Sequence, residues 1–112
     1  MTKDLVLSLP NPAPGLAWIY AIPVSDDLIK VGRTDNLLRR LKTFQTAHAK
    51  DLHVVDFLET TSGRAAALER RIHREISHHR ESREIFRITE DQIRNLFVFA
   101  RIRWVDDALL DL

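Results

Sequence analysis

A chain of 112 residues that is 45% hydrophobic and 29% charged, with three glycines, is the size of one foldable domain and is neither disordered, collagen-like nor of low complexity. It has no cysteine, which excludes a disulfide framework, a thiolate nucleophile and a Cys-rich zinc site. The net charge of +1 hides an uneven distribution: residues 30–50 hold six bases and one acid, residues 64–88 hold seven arginines and four acids, and both ends are acidic. A basic centre of this kind suits a phosphate-bearing partner, and solvated arginines on exposed helix faces are the alternative.

The longest uncharged apolar stretch, residues 15–24, is about half the ~20 residues that span a bilayer. The first ten residues include an acid, and their apolar run is too short for a secretory signal. The expectation is a soluble, intracellular protein.

Pro10, Pro12, Pro14 and Gly15 mark residues 1–15 as an arm leading into a single domain over residues 16–112. Residues 17–24 are aromatic and β-branched and predict a strand. Ser25-Asp26-Asp27 is turn chemistry, and residues 28–33 predict the second strand of a hairpin. Thr34, Asp35 and Asn36 are N-cap candidates for a helix over residues 36–47. Val54, Val55 and Phe57 place a third strand over residues 53–59, and Thr61-Ser62 cap a long helix over residues 63–80. Residues 84–88 read as a short strand or extended piece. Thr89 followed by Gln92 is a capping box that opens a final helix over residues 89–111. The order ββαβα predicts an α+β fold: a small three-stranded mixed or antiparallel sheet flanked by helices, plus the long C-terminal helix.

Helical projection locates the side chains that could do chemistry. Leu37, Leu38, Leu41 and Phe44 form one apolar stripe, with Arg40 at its edge and Arg39 facing water. An arginine at a stripe edge either snorkels or aims its head along the sheet. In the next helix Ala65, Leu68, Ile72 and Ile76 form the stripe, Glu69 lies close to its centre, and His73 follows one turn on. A carboxylate so near a packed face needs a partner. That partner is His73, an arginine or a metal ion, and a general base at a cleft floor is a further reading. The five histidines show no metal-binding spacing, and no phosphate-loop or nucleophile-elbow motif occurs.

Four segments, Trp18-Ile19-Tyr20, Ile29 to Thr34, Arg40 to Ala47 and Leu68 to His73, with Glu84-Ile85-Phe86 after them, resemble in order and spacing the GIY-YIG endonuclease superfamily. The likeness is to its small phage-type and meiotically up-regulated branch. The resemblance implies a DNA endonuclease that hydrolyses phosphodiester bonds with one Mg²⁺ or Mn²⁺ ion. It puts Tyr20 at the water nucleophile, Lys30 at the first position of the second motif, Arg40 on the scissile phosphate and Glu69 on the metal. Lys30 would then lower the phenol pKa of Tyr20. Phe44 stands where many members have histidine or tyrosine, which leaves His48 and His73 as candidate auxiliaries. Arg33, Arg39 and Lys42 would contact the DNA, expected to be duplex. A DNA-binding module of the same fold without efficient cleavage is the alternative. The four site residues are expected on one concave face.

The final helix carries two stripes. Ile93, Phe97, Ala100, Trp104 and Ala108 form one, and Val98, Ile102, Val105, Leu109 and Leu112 form the other. One stripe suffices to dock a helix. The second predicts a homodimer through Val98, Ile102, Val105 and Leu109, with cover by residues 5–9 of the arm as the alternative.

Overall fold

The computed structural model describes residues 12–36, 39–40 and 53–105. In chain order it contains β1 (Leu16–Ser25), β2 (Leu28–Thr34), β3 (Asp56–Thr61), α1 (Ser62–Glu75), β4 (Arg80–Ser82), β5 (Ile85–Arg87) and α2 (Glu90–Ala100). The strands form one sheet in the order β3-β1-β2-β5-β4, and every pairing is antiparallel. The α+β class and the β1–β2 hairpin are as expected. The sheet has five strands rather than three.

The predicted helix over residues 63–80 stops at Glu75. Its apolar stripe ends at Ile76, after which a short 3-10 turn, Ser77–His79, redirects the chain into β4. β4 is exposed throughout, so nothing in its own pattern announces a strand. It is held by pairing with β5, with Arg80 opposite Phe86.

One face of the sheet presents Ala17, Ile19, Ala21, Ile29, Val31, Leu58 and Phe86, packed with Leu68 and Ile72 of α1 and Ile93 and Phe97 of α2 in one core cluster. Burying an aliphatic or aromatic side chain of this size contributes roughly 1.5–3 kcal/mol. Trp18, Tyr20 and Ile22 project from the other face of β1 and are buried as well. A strand buried on both faces reads as a continuous apolar run instead of an alternation, which accounts for residues 17–22.

The predicted capping box is present: Thr89 Oγ1 accepts from the Gln92 N–H (3.1 Å), and Gln92 Oε1 accepts from the Thr89 N–H (3.0 Å). At the helix expected over residues 36–47, Asn36 Oδ1 accepts from the Arg39 N–H at 3.0 Å, as an N-cap does. Residues 39 and 40 are helical, and residues 41–47 lie outside the described residues. The last helix is α-helical to Ala100 and then widens into a π turn, Arg101–Val105. Its first stripe is buried at Ile93, Phe97, Ala100 and Trp104. Of the second, Val98 and Ile102 are exposed, Val105 packs partly on the core, and Leu109 lies outside the described residues. The arm residues 5–9 lie outside them too. Among the described residues no helix is long and apolar enough to cross a membrane.

Candidate functional site

The site lies where the sheet runs out of strands. β5 pairs with β2 only over Leu28, Ile29 and Lys30, and the last backbone contact on that side is the Val31 N–H donating to Glu84 O at 2.9 Å. Beyond Val31 this edge of β2 has no neighbouring strand among the described residues. His73, reaching over from α1, occupies the next place: its Nε2 lies 2.8 Å from the Val31 carbonyl oxygen. A carbonyl only accepts, so Nε2 is the donor in this contact.

Tyr20 approaches this edge from one face of the sheet. Its ring lies over Gly32, its cross-strand partner, and its side chain is 1% exposed. Gly32 lacks the β-carbon that would occupy the same space: one built there would lie 2.7 Å from Tyr20 Oη and 3.3 Å from Glu84 Oε2. Burial pushes the Tyr20 phenol above its ordinary range; Arg40 draws it down, and Glu84 and Glu69 push it up. The expected lowering by Lys30 is not found. Lys30 is not among the charges that shift the phenol; its Nζ donates to Glu84 Oε2 at 2.7 Å.

Glu69 approaches from the opposite face, on the helix that packs against Ile19 and Val31. Its residue surface is 8% exposed. Oε1 accepts from Arg33 Nε at 3.2 Å. Oε2 is buried and has no hydrogen-bond partner, and among the described residues no other buried side-chain polar atom is in that position. Burial, then the charge of Glu84, raises the Glu69 pKa, against the pull of His73, Arg33 and Lys30.

The expected single concave face is therefore replaced by a sheet edge, around which side chains from both faces meet. A hollow of about 620 Å³ there is lined by Lys30, Arg40, Glu69, His73, Arg83 and Glu84, among others. Tyr20 is not among its lining residues, although its hydroxyl senses the charges of Arg40, Glu84 and Glu69. A second hollow of about 470 Å³ adjoins it through Arg40 and brings together Arg33, Asp35 and Arg39. His48 and Lys42 lie outside the described residues.

Sequence reasoning missed the roles of Glu84 and Arg83. Glu84 opens a motif noted in the sequence, but the lysine it holds is 54 residues away. Arg83 has a φ of +35°, the left-handed region that a non-glycine residue seldom adopts. No sequence signal separates it from its neighbours.

A hard cation that retains most of its waters needs few protein ligands. Glu69 Oε2 fits such an ion, since a metal would satisfy an oxygen that nothing else reaches. The described residues contain no group of three or more His, Cys, Asp or Glu side chains that could form a fuller metal cage.

The family model of the T5orf172 domain matches residues 16–103, from the start of β1 into the π turn. The chain belongs to the T5orf172 domain family. This domain is found in phage and nuclease-like proteins. Neither a curated protein nor a solved structure matches the chain. The T5orf172 match covers every residue of the sheet edge, including Tyr20, Lys30, Arg40, Glu69, His73 and Glu84.

Proposed function

We propose that this T5orf172 domain is a divalent-metal-dependent DNA endonuclease of the GIY-YIG kind. The carrying observation is the buried, unpartnered Oε2 of Glu69, set in a hollow whose other side chains include Lys30, Arg40, Arg80 and Arg83. A carboxylate left ionised there is stabilised by a cation, and the surrounding bases attract the phosphate that such a cation would bind.

Glu69 would hold Mg²⁺ or Mn²⁺ through Oε2 while Arg33 fixes Oε1. Such an ion, when bound, would supply the positive charge that offsets the charge growing on the phosphate and the leaving group. Arg40 offers paired donors to the phosphate. Tyr20 keeps its proton at neutral pH, because burial holds the phenol high; it is not the base that activates the attacking water, and it acts on the site from beneath, through Gly32 and the charges of Arg40, Glu84 and Glu69. His73 is the side chain suited to take the water's proton: it lines the hollow beside Glu69, and with Nε2 committed to the Val31 carbonyl its Nδ1 is the nitrogen left to accept. Lys30 holds Glu84 in place at the rim of the hollow.

The raised phenol pKa favours a second reading, a DNA-binding module with little cleavage. Incubating supercoiled plasmid with Mg²⁺, Mn²⁺ or EDTA separates the two. Nicking in both metal arms and none in EDTA is expected of the endonuclease. Salt-sensitive retention of the plasmid without nicking would favour the binding module.

A further inference from the structure

A third hollow, of about 520 Å³, continues the site beyond His73 and is lined by Arg70, His73, Arg74 and Arg80. It shares His73 and Arg80 with the central hollow, so the two adjoin. No carboxylate lines it. Among the described residues, none pairs with Arg70, Arg74 or Arg80. Arg87 pairs with Asp27 and Glu81, Arg94 with Glu90 and Asp91, and Arg101 with Asp56. Arg64, Arg71 and Arg103 also have no carboxylate partner among the described residues, but only in this hollow do three such arginines line one space with no carboxylate beside them.

We propose that Arg70, Arg74 and Arg80 form a second phosphate subsite, which binds the backbone phosphate next to the one at Glu69 on the same DNA strand. The proposal rests on the nucleic-acid reading above and extends it by giving the strand a direction of travel across the site. Arg70 and Arg74 stand one turn apart on the exposed side of α1, where like charges repel and an anion relieves the repulsion. Arg80 is already positioned. Its guanidinium lies 5.0 Å from the Phe86 ring centroid and donates through Nη1 to the Arg83 carbonyl oxygen. A guanidinium held by a ring on one side and a carbonyl at its edge loses little freedom when a phosphate arrives. The Arg83 carbonyl is presented by the turn in which Arg83 takes its left-handed φ, so the strained backbone belongs to the same device.

The test is fluorescence anisotropy of a labelled 20-base-pair DNA duplex in EDTA across a salt series. Each phosphate contact contributes about 0.9 to the slope of log affinity against log salt. Arg70→Ala/Arg74→Ala should reduce the slope by about 1, the single phosphate contact of the subsite, and weaken binding at least about 10-fold at moderate salt. Arg94→Ala/Arg103→Ala removes the same charge away from this hollow and should leave the slope unchanged. Both pairs are exposed, and thermal melting checks that each variant is folded. An unchanged slope for Arg70→Ala/Arg74→Ala, with the wild type binding, overturns the subsite and leaves the endonuclease reading standing. Equal losses in both double variants overturn it too, since net charge alone would then explain them. No salt-sensitive binding by the wild type overturns both.

Discussion

Tyr20 lies across Gly32 so closely that a β-carbon at position 32 would meet its hydroxyl at 2.7 Å and its Cζ at 3.0 Å. The ring cannot swing away, because Tyr20 is 1% exposed. Gly32→Ala should therefore destabilise the fold by roughly 1–3 kcal/mol, the usual range for overpacking. A chemical-denaturation midpoint equal to wild type would show that the ring is less fixed than the packing indicates.

Glu69 makes stability depend on pH in a direction opposite to that of most carboxylates. In the unfolded chain it titrates in the ordinary range; in the fold burial, and then Glu84, hold its pKa higher. The folded state thus binds the proton more tightly, and this stabilisation is lost as pH rises from the ordinary carboxylate range through the folded value. Glu69→Gln should remove this contribution, so that its melting temperature falls less than that of wild type over the same rise in pH. Mn²⁺ should raise the melting temperature of wild type near neutral pH and leave Glu69→Gln unmoved. Thermal melts in EDTA and in Mn²⁺ check both statements.

Much of this architecture is legible in the sequence, and the parts that are not share a cause. The β1–β2 hairpin announces itself through Ser25-Asp26-Asp27 between two apolar runs, and α2 through Thr89 and Gln92. Each signal is local. Glu69 was identifiable because a carboxylate on a packed helix face needs a partner. β4 was not, since Arg80-Glu81-Ser82 is polar at every position and is a strand only because β5 pairs with it. The meeting of Tyr20 and Glu69 around a sheet edge was equally hidden, because it depends on where β5 stops pairing with β2. The partner of Lys30 is hidden for the same reason: Glu84 is brought to it by tertiary structure.

Arg83 carries backbone strain that a glycine would not. Arg83→Gly should raise stability by about 1 kcal/mol, the scale of a left-handed residue's penalty. The carbonyl that receives Arg80 is retained in the variant, while the guanidinium is lost from the central hollow. Weaker duplex binding by a more stable protein is the expected combination. A variant that is both less stable and fully competent in binding would contradict it.

His73→Gln separates the structural duty of that residue from its chemical one. The glutamine amide can still donate to the Val31 carbonyl, so the fold should be kept, but it cannot accept a proton near neutral pH. DNA cleavage should fall by about 100-fold, within the range for loss of a general base, with duplex affinity little changed. Near-wild-type cleavage would remove His73 from the chemistry and leave it as the group that completes the edge of β2.

The role proposed for Glu69 is to hold the metal on which DNA cleavage by this T5orf172 domain depends. Its most direct measurement is the nicking rate of supercoiled plasmid in Mn²⁺ by wild type and Glu69→Gln, purified in parallel. The expected result is a fall of about 1000-fold or more, the scale of several kcal/mol of transition-state stabilisation, with duplex binding in EDTA retained. Equal nicking by the two proteins would contradict it.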